Sequence, residues 1–150
     1  MAASNAIHVA EALVNLSHEK HSPLTNLKLQ KLLYYAQAWH LVLRNESLFS
    51  ETIEAWVHGP VVPAIFRRYR EYRWNPILAV SGISVSIPLK KHLEEVWKVY
   101  GKFDASALER LTHSEQPWIE ARSGLPLDAP SHNVISNRSM KIFYSSLLNG

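Results

Sequence analysis

The sequence predicts a mainly α-helical fold, in which six or seven helices form a compact single domain over residues 1–150 around a central buried helix at about residues 25–44. Three observations support this prediction. The length of 150 residues suits one domain with its own core. Hydrophobic residues make up 47% of the chain and recur in several segments at helical spacing. The longest apolar stretch, residues 24–43, contains neither glycine nor proline.

Composition excludes several classes of protein. The chain has no cysteine, which removes disulfides, thiolate nucleophiles and cysteine-based zinc sites and fits a reducing compartment. The N-terminus has no basic region ahead of its apolar residues, and Glu11 interrupts them, so it does not resemble a signal peptide. Lys28 and Lys31 interrupt residues 24–43, which therefore predict a core helix. We expect a cytoplasmic protein with no membrane segment.

The central helix is apolar on more than one face. Thr25 can cap its first turn, and Leu24 and Leu29 form a hydrophobic staple around this cap. One face is apolar throughout and carries Leu29, Leu32, Leu33, Ala36, Trp39 and Leu43. The other face is half apolar and carries Lys28, Lys31, Tyr35, Ala38 and Val42. A helix that is apolar nearly all round must be covered on several sides, so later helices are expected to surround it.

The elements on either side of the central helix are shorter. Residues 6–18 carry an apolar stripe at three- and four-residue spacing and predict a first helix. Residues 53–57 are consistent with a brief strand or extended segment, and Gly59 suits a turn after it. Pro60 fits the first position of the next helix, which is predicted to run to about Tyr72.

Residues 77–87 carry a pattern typical of β structure. Apolar and serine residues alternate with period two from Ile83 to Ile87, as in a half-exposed strand. Ser81 and Gly82 could turn this strand back onto the preceding residues. The pattern favours a small β-hairpin near 77–87, with an irregular loop as the alternative.

Two helices follow this segment. Pro88 suits the start of a helix that runs to about Tyr100 and stops at Gly101. Asp104 suits the cap of the next helix, which is expected to end near Thr112.

The C-terminal part predicts two more helices and a loop. Pro117 is tolerated in the first turn of a short helix that begins near Ser114. Residues 125–132 contain two prolines and predict the least regular stretch. Ser136 suits the cap of the last helix. Its residues expected to be buried are Phe143, Leu147 and Leu148.

The sequence gives little support for catalysis. His58, His113 and Glu115 are the best acid–base candidates, because each lies at a predicted helix junction near a tryptophan. A histidine at such a junction is more often a structural hydrogen-bonding residue. The chain also lacks a phosphate-binding glycine loop, a nucleophile elbow and histidines at metal-ligand spacing. We therefore expect no enzyme, no catalytic residue, no metal and no cofactor.

One segment holds most of the excess positive charge. The formal net charge is +3, and residues 67–73 alone contain four arginines and one glutamate, interleaved with Tyr69 and Tyr72. Guanidinium groups suit phosphates and aromatic rings stack on bases, so a nucleic-acid-binding module is the alternative function. A solvated basic face with tyrosines toward the core explains the same pattern, and an acidic protein partner fits the arginines as well as nucleic acid does.

Three motifs in the chain occur together in a known family. They are LKLQKLLYYAQAW from Leu27 to Trp39, IEAWVHGPVVP from Ile53 to Pro63, and LTHSEQPW from Leu111 to Trp118. In this order they resemble the landmarks of the Panacea domain, the SocA-like antitoxin family, which is also linked to phage-associated proteins. The resemblance spans about residues 6–148.

The resemblance implies an antitoxin of a toxin–antitoxin system that neutralises a cognate protein toxin by direct binding. The family's founding member acts as an adaptor that delivers its toxin to a protease, so a cytosolic protease is a further expected partner. The chain resembles the stand-alone form of the family rather than members with an added DNA-binding domain. Binding of nucleic acid is therefore not expected as the main activity.

Two sets of candidate residues follow. The family-motif residues have the spacing of packing residues and are expected to be structural: Leu29, Leu33, Trp39, Trp56, Gly59, Pro60, His113, Pro117 and Trp118. Toxin contacts are expected on exposed surfaces, namely residues 67–73, 77–87 and 125–132. The candidate partner-binding residues are Arg67, Arg68, Arg70 and Arg73, with Lys28, Lys31 and Tyr35 as the outward contribution of the central helix.

Overall fold

Seven α-helices and a small antiparallel sheet make up the described part of the chain, residues 2–149, in a computed structural model. The helices are α1 (Ala6–Glu19), α2 (Asn26–Arg44), α3 (Pro63–Arg68), α4 (Ile87–Tyr100), α5 (Ala105–His113), α6 (Gln116–Ala121) and α7 (Asn137–Asn149). The strands are β1 (Ile53–Trp56), β2 (Gly59–Val61) and β3 (Val134–Ile135), and a 3-10 turn covers Arg70–Tyr72. The predicted mainly α-helical class is confirmed.

Helix α2 is the central element of the core. It packs against α1, α3, α4, α5 and α7 and against β2. The side chain of Thr25 accepts a hydrogen bond from the Lys28 amide at 3.3 Å, as expected of the cap, and Asn45 ends the helix in the left-handed conformation. Leu29 and Leu33 are fully buried. The near-continuous apolar surface of this helix is thus covered by its neighbours, as predicted.

The sheet lies between α2 and the later helices and has the strand order β2-β1-β3. Ala55 pairs with Pro60, and Ile53 pairs with Ile135, both in antiparallel register. The prediction that Pro60 begins a helix is wrong. Pro60 lies in the edge strand β2, where its missing N–H is tolerated, and Pro63 occupies the first turn of α3 instead.

The predicted β-hairpin near residues 77–87 is also wrong. Within that segment the backbone takes partners from other parts of the chain: the Ile77 amide donates to the Leu24 carbonyl at 2.8 Å. The Asn15 side chain of α1 bonds both the amide and the carbonyl of Val80, at 2.7 and 2.8 Å. The alternation survives as half-buried apolar residues between exposed serines. The segment pairs with no strand of the described residues, and side chains of α1 bond its backbone instead.

The predicted Asp104 cap of α5 is confirmed, whereas α4 is capped by Ser86, which was not predicted as a cap. The Asp104 side chain accepts from the Ala107 amide at 2.8 Å, and that of Ser86 accepts from the Leu89 amide at 3.3 Å. Helix α4 thereby begins one residue before the predicted Pro88.

The last turn of α7 differs from the prediction. Leu147 and Leu148 are exposed, and the buried residues of this helix are Met140 and Tyr144. Leu148 lies at an open groove together with Leu43 of α2. The final turn therefore extends past the covered part of the core. Within residues 2–149, no helix has the length and apolar character that a bilayer crossing requires.

Candidate functional site

The three sequence motifs meet at one junction of the fold. The Trp118 indole nitrogen donates to the carbonyl of Trp56 at 2.8 Å and so ties α6 to β1. His113 stacks on Trp118 with ring centroids 3.9 Å apart. Gly59, at the start of β2, lies against the side chain of Lys31 in α2. The motif residues thus hold α2, the sheet and the α5–α6 corner together.

Gly59 is required at this junction for two reasons. Its φ of +112° lies in a region that residues with a side chain rarely adopt. A Cβ atom there would also stand 2.9 Å from Cε of Lys31 and 3.0 Å from Oγ1 of Thr112. Both contacts are closer than normal packing allows, so the position is restricted by space as well as by backbone conformation.

Lys31 does not reach the surface. Its side chain is 1% exposed, and burial lowers the pKa of its amine from 10.5 to about 8, with Glu109 opposing this shift. Tyr35 is completely buried. The expectation that Lys31 and Tyr35 contribute to an outward binding surface is therefore wrong. The leucines of residues 27–39 correctly predicted a covered helix, but the sequence pattern placed Lys31 on its outward side.

Tyr35 instead belongs to a buried polar network. The hydroxyl groups of Tyr35 and Tyr144 both donate to Oε1 of Glu115, at 2.7 and 2.9 Å. The ring of Tyr35 stacks on that of Tyr100 at a centroid distance of 3.8 Å. Burial raises the pKa of the Glu115 carboxyl, and the two tyrosine hydrogen bonds oppose this rise. The network links α2, α6 and α7 and has the character of a structural support.

Replacing Glu115 with glutamine should flatten the pH dependence of folding stability. The unfolded chain loses the Glu115 proton near pH 4.5, whereas the folded chain keeps it to higher pH. The folded state therefore binds more protons above this pH, and the free energy of unfolding falls as the pH rises. Urea unfolding measures this free energy, which should decline less between about pH 4.5 and about pH 7 in E115Q than in the native chain. Glu120→Gln, an exposed change on α6, is the control, and equal slopes in E115Q and the native chain would contradict the assignment.

The arginines of residues 67–73 form an exposed surface. Arg67, Arg68, Arg70 and Arg73 are all exposed, and Arg68 lies 3.9 Å from a Glu11 carboxylate oxygen. The other three form no salt bridge within residues 2–149. We call these four residues, together with the adjoining Trp74, the arginine surface.

Trp74 is the residue of this surface that is absent from the candidates drawn from the sequence. Its side chain is 75% exposed. It follows Arg73, whose φ of 56° and ψ of −117° are strained for a residue with a side chain, in a turn closed by a 2.9 Å hydrogen bond from the Asn75 amide to the Tyr72 carbonyl. A tryptophan directly after a basic run was the available signal.

The other proposed surface residues have internal contacts. The Lys28 amine donates to the Gly101 carbonyl at 2.6 Å and lies 5.4 Å from the centroid of the Trp97 ring, so it closes the end of α4. Residues 125–132 are held from beneath by buried Arg122, which donates to the carbonyl oxygens of Pro126 and Ala129 at 2.8 and 2.7 Å. This loop is exposed, but its backbone path is fixed by the guanidinium group.

The three acid–base candidates have separate surroundings. His58 is exposed, with Nδ1 3.2 Å from a Glu109 carboxylate oxygen. Burial lowers the pKa of His113, whose Nε2 atom is buried without a hydrogen-bond partner in the described structure. The Glu115 carboxylate accepts the hydrogen bonds of Tyr35 and Tyr144. No group of three or more metal-ligating side chains is found within residues 2–149.

Comparisons with known proteins agree with the three motifs. The family model described as "Antitoxin SocA-like, Panacea domain" matches residues 29–119, which is more than half of the chain. The chain is 35% identical over 133 residues to "Antitoxin SocA" of Caulobacter vibrioides (strain NA1000 / CB15N), with 77% of this chain and 71% of that protein covered. No solved structure matches. The matched region contains the central helix, the strand pair and the α5–α6 corner described above. On these grounds the chain belongs to the SocA-like antitoxin family, defined by the Panacea domain.

Proposed function

We propose that this antitoxin-family chain neutralises a cognate protein toxin by binding it directly, and that the arginine surface makes the contact. The observation that carries the proposal is the exposure of four arginines and a tryptophan within eight consecutive residues, 67–74. Arginine and tryptophan are enriched among the residues that dominate binding energy in protein interfaces. The name of the 35% identical relative, an antitoxin, supports a toxin as the partner.

The charge of this surface indicates the chemistry of the toxin face that it would bind. Three of its arginines form no salt bridge within the described residues 2–149, so their guanidinium groups are available to an incoming partner. Guanidinium groups bind carboxylates through two parallel hydrogen bonds. The partner face is therefore expected to be acidic, with an apolar recess for Trp74.

Nucleic acid remains the alternative ligand of the same surface. Stacking on bases needs exposed aromatic faces. Tyr69 is buried and Tyr72 is half-buried, which leaves Trp74 as the freely exposed ring of this segment. The geometry therefore favours a protein partner. A gel shift with duplex and single-stranded DNA that is abolished by removal of these arginines would favour the alternative.

Co-expression with the neighbouring open reading frame tests the proposal. Induction of that reading frame alone should arrest growth, and this chain should restore growth and co-purify with its product. If the neighbouring product is toxic and this chain neither relieves toxicity nor binds it, the proposal fails.

The fate of the toxin separates two modes of neutralisation. Simple occlusion leaves the steady-state level of the toxin unchanged while growth is restored. In the adaptor mode, which we propose as the second possibility for this family, the bound toxin is delivered to a cytosolic protease and its level falls. An immunoblot of the toxin after inhibition of protein synthesis distinguishes the two, because only the adaptor mode shortens its half-life.

A further inference from the structure

A cavity lies between α1, the end of α2 and the start of α4, and shares no residue with the arginine surface. Its volume is about 540 Å³, within the range that holds small-molecule ligands. Apolar walls come from residues such as Leu48 and Leu89. The polar side chains that line it are those of Ser4, His8, His40, Arg44, Ser84, Ser86 and His92. This combination of apolar walls and a few convergent polar groups is typical of a ligand site.

Two histidines in the cavity have a fixed orientation and an unused ring nitrogen. His40 and His92 are each 8% exposed, and their rings lie 5.1 Å apart. Nδ1 of His40 donates to the Glu46 carbonyl at 2.7 Å, and Nε2 of His92 donates to the Ala36 carbonyl at 2.8 Å. The second nitrogen of each ring has no hydrogen-bond partner within residues 2–149. Both side chains therefore present a free polar atom while more than nine-tenths buried.

The surroundings of these histidines favour an anion over a metal ion. Arg44 lines the cavity and forms no salt bridge in the described structure. Ser86 is the cap of the 14-residue helix α4, so the positive end of that helix is close. The start of α1 is already offset, because the Ala6 amide donates to a Glu51 carboxylate oxygen at 3.2 Å. No acidic side chain of residues 2–149 lines the cavity. A cation in the cavity would meet Arg44 and the positive end of α4, with no carboxylate among the described lining residues.

We propose that this cavity binds the phosphoryl group of a small anion, with Arg44, the serine hydroxyls and the two buried histidines as its hydrogen-bonding groups. The guanidinium fork and the hydroxyls match the oxygen atoms of a phosphate. The free nitrogen of a neutral histidine is an acceptor and can bond the O–H of a phosphate monoanion, with no net uptake of protons. To donate to a phosphate dianion, the His92 ring first takes a proton from solvent, so binding of the dianion is accompanied by proton uptake.

This coupling has a defined sign. Burial lowers the pKa of His92, with His40 and Arg44 adding to the effect and the Ala36 hydrogen bond opposing it. A bound dianion raises that pKa, because it favours the charged imidazolium. The affinity for the dianion therefore increases as the pH falls, as long as the phosphate group itself stays doubly ionised. The other titratable group that lines the cavity is His8.

Titrations with inorganic phosphate and with adenosine monophosphate test the proposal, followed by calorimetry and by amide shifts in NMR spectra. Saturable binding is expected, with the largest shifts at Ser84, Ser86 and His92. Arg44→Ala should weaken it on the order of tenfold, since a charge-assisted hydrogen bond is lost. Lys91→Ala, which removes a positive charge from an exposed position of α4, should leave affinity unchanged. The tighter of the two probes distinguishes free phosphate from a phosphate ester.

Several outcomes would overturn the proposal. One is the absence of saturation with both probes. Another is equal weakening by Arg44→Ala and Lys91→Ala, which would show a general charge effect. Tighter binding of zinc chloride than of phosphate, with shifts at the same histidines, would identify a metal site instead. Because the cavity shares no residue with the arginine surface, failure of this proposal leaves toxin binding unaffected.

Discussion

Replacing Arg67, Arg68 and Arg70 with alanine should abolish neutralisation of the cognate toxin without unfolding the chain. All three side chains are exposed, so their removal leaves no cavity in the core. Arginines that act as hot spots of an interface cost roughly 2 kcal/mol or more when truncated, whereas most other interface residues cost less than about 1 kcal/mol. The triple variant should therefore bind the toxin at least about 100-fold more weakly, since each 1.4 kcal/mol is a factor of ten. Growth rescue measures the loss of neutralisation, and calorimetry with purified toxin measures the loss of affinity.

A second triple variant provides a matched control. Lys91, Lys98 and Lys102 are exposed lysines, on α4 or just after it, and their replacement by alanine also lowers the formal net charge from +3 to 0. This variant should neutralise normally if the position of the charge matters rather than its amount. Binding by the native chain should also weaken with salt, because exposed charges are screened. Full neutralisation by the arginine variant would show that toxin binds elsewhere.

The sequence contained most of the information needed for the helices. Local signals fix a helix: Thr25 and Asp104 cap their helices as predicted, and the apolar residues of α2 mark it as the central element. Each of these signals acts over three or four residues, so no knowledge of the rest of the fold is needed.

The errors arose where distant partners decide the structure. The alternation at residues 83–87 is the same for a strand and for an extended segment, and only the position of Asn15 on α1 shows that side chains satisfy the neighbouring backbone. Pro60 and Pro63 are both able to begin a helix, and the pairing of Pro60 with Ala55 selects the later one. His40 and His92 are 52 residues apart and adopt their 5.1 Å approach only through tertiary packing.

Lys31→Met should raise the stability of the chain by about 1–3 kcal/mol at neutral pH. The amine is buried and its pKa is lowered from 10.5 to about 8, a difference that corresponds to roughly 3 kcal/mol of unfavourable charge burial. Methionine has a similar length and no charge, so it should fill the space beside Gly59 without this cost. The pKa of about 8 already includes the attraction to Glu109, and the lower end of the range allows for imperfect packing of the methionine. Urea unfolding of the two proteins measures the difference.

The pH dependence of the free energy of unfolding shows whether the gain in stability comes from removing the buried Lys31 charge or from better packing of methionine. Above about pH 8 the folded chain has released the Lys31 proton, whereas the unfolded chain keeps it until about 10.5. The unfolded state then binds more protons, so the free energy of unfolding of the native chain should rise with pH. The measurement stays below about pH 9.5, since tyrosines of the unfolded chain ionise near pH 10. Lys31→Met should lack this rise, and a rise of equal size in the variant would contradict the role given to the amine.

Neutralisation by Lys31→Met distinguishes the core from the binding surface. A side chain that is 1% exposed has almost no area to offer a partner, so the variant should restore growth as well as the native chain while being more stable. The arginine variant should do the opposite and lose neutralisation while retaining stability. Together the two outcomes would assign the central helix to the scaffold and residues 67–74 to toxin binding. If Lys31→Met folds and fails to neutralise, the buried amine takes part in function through a rearrangement that exposes it.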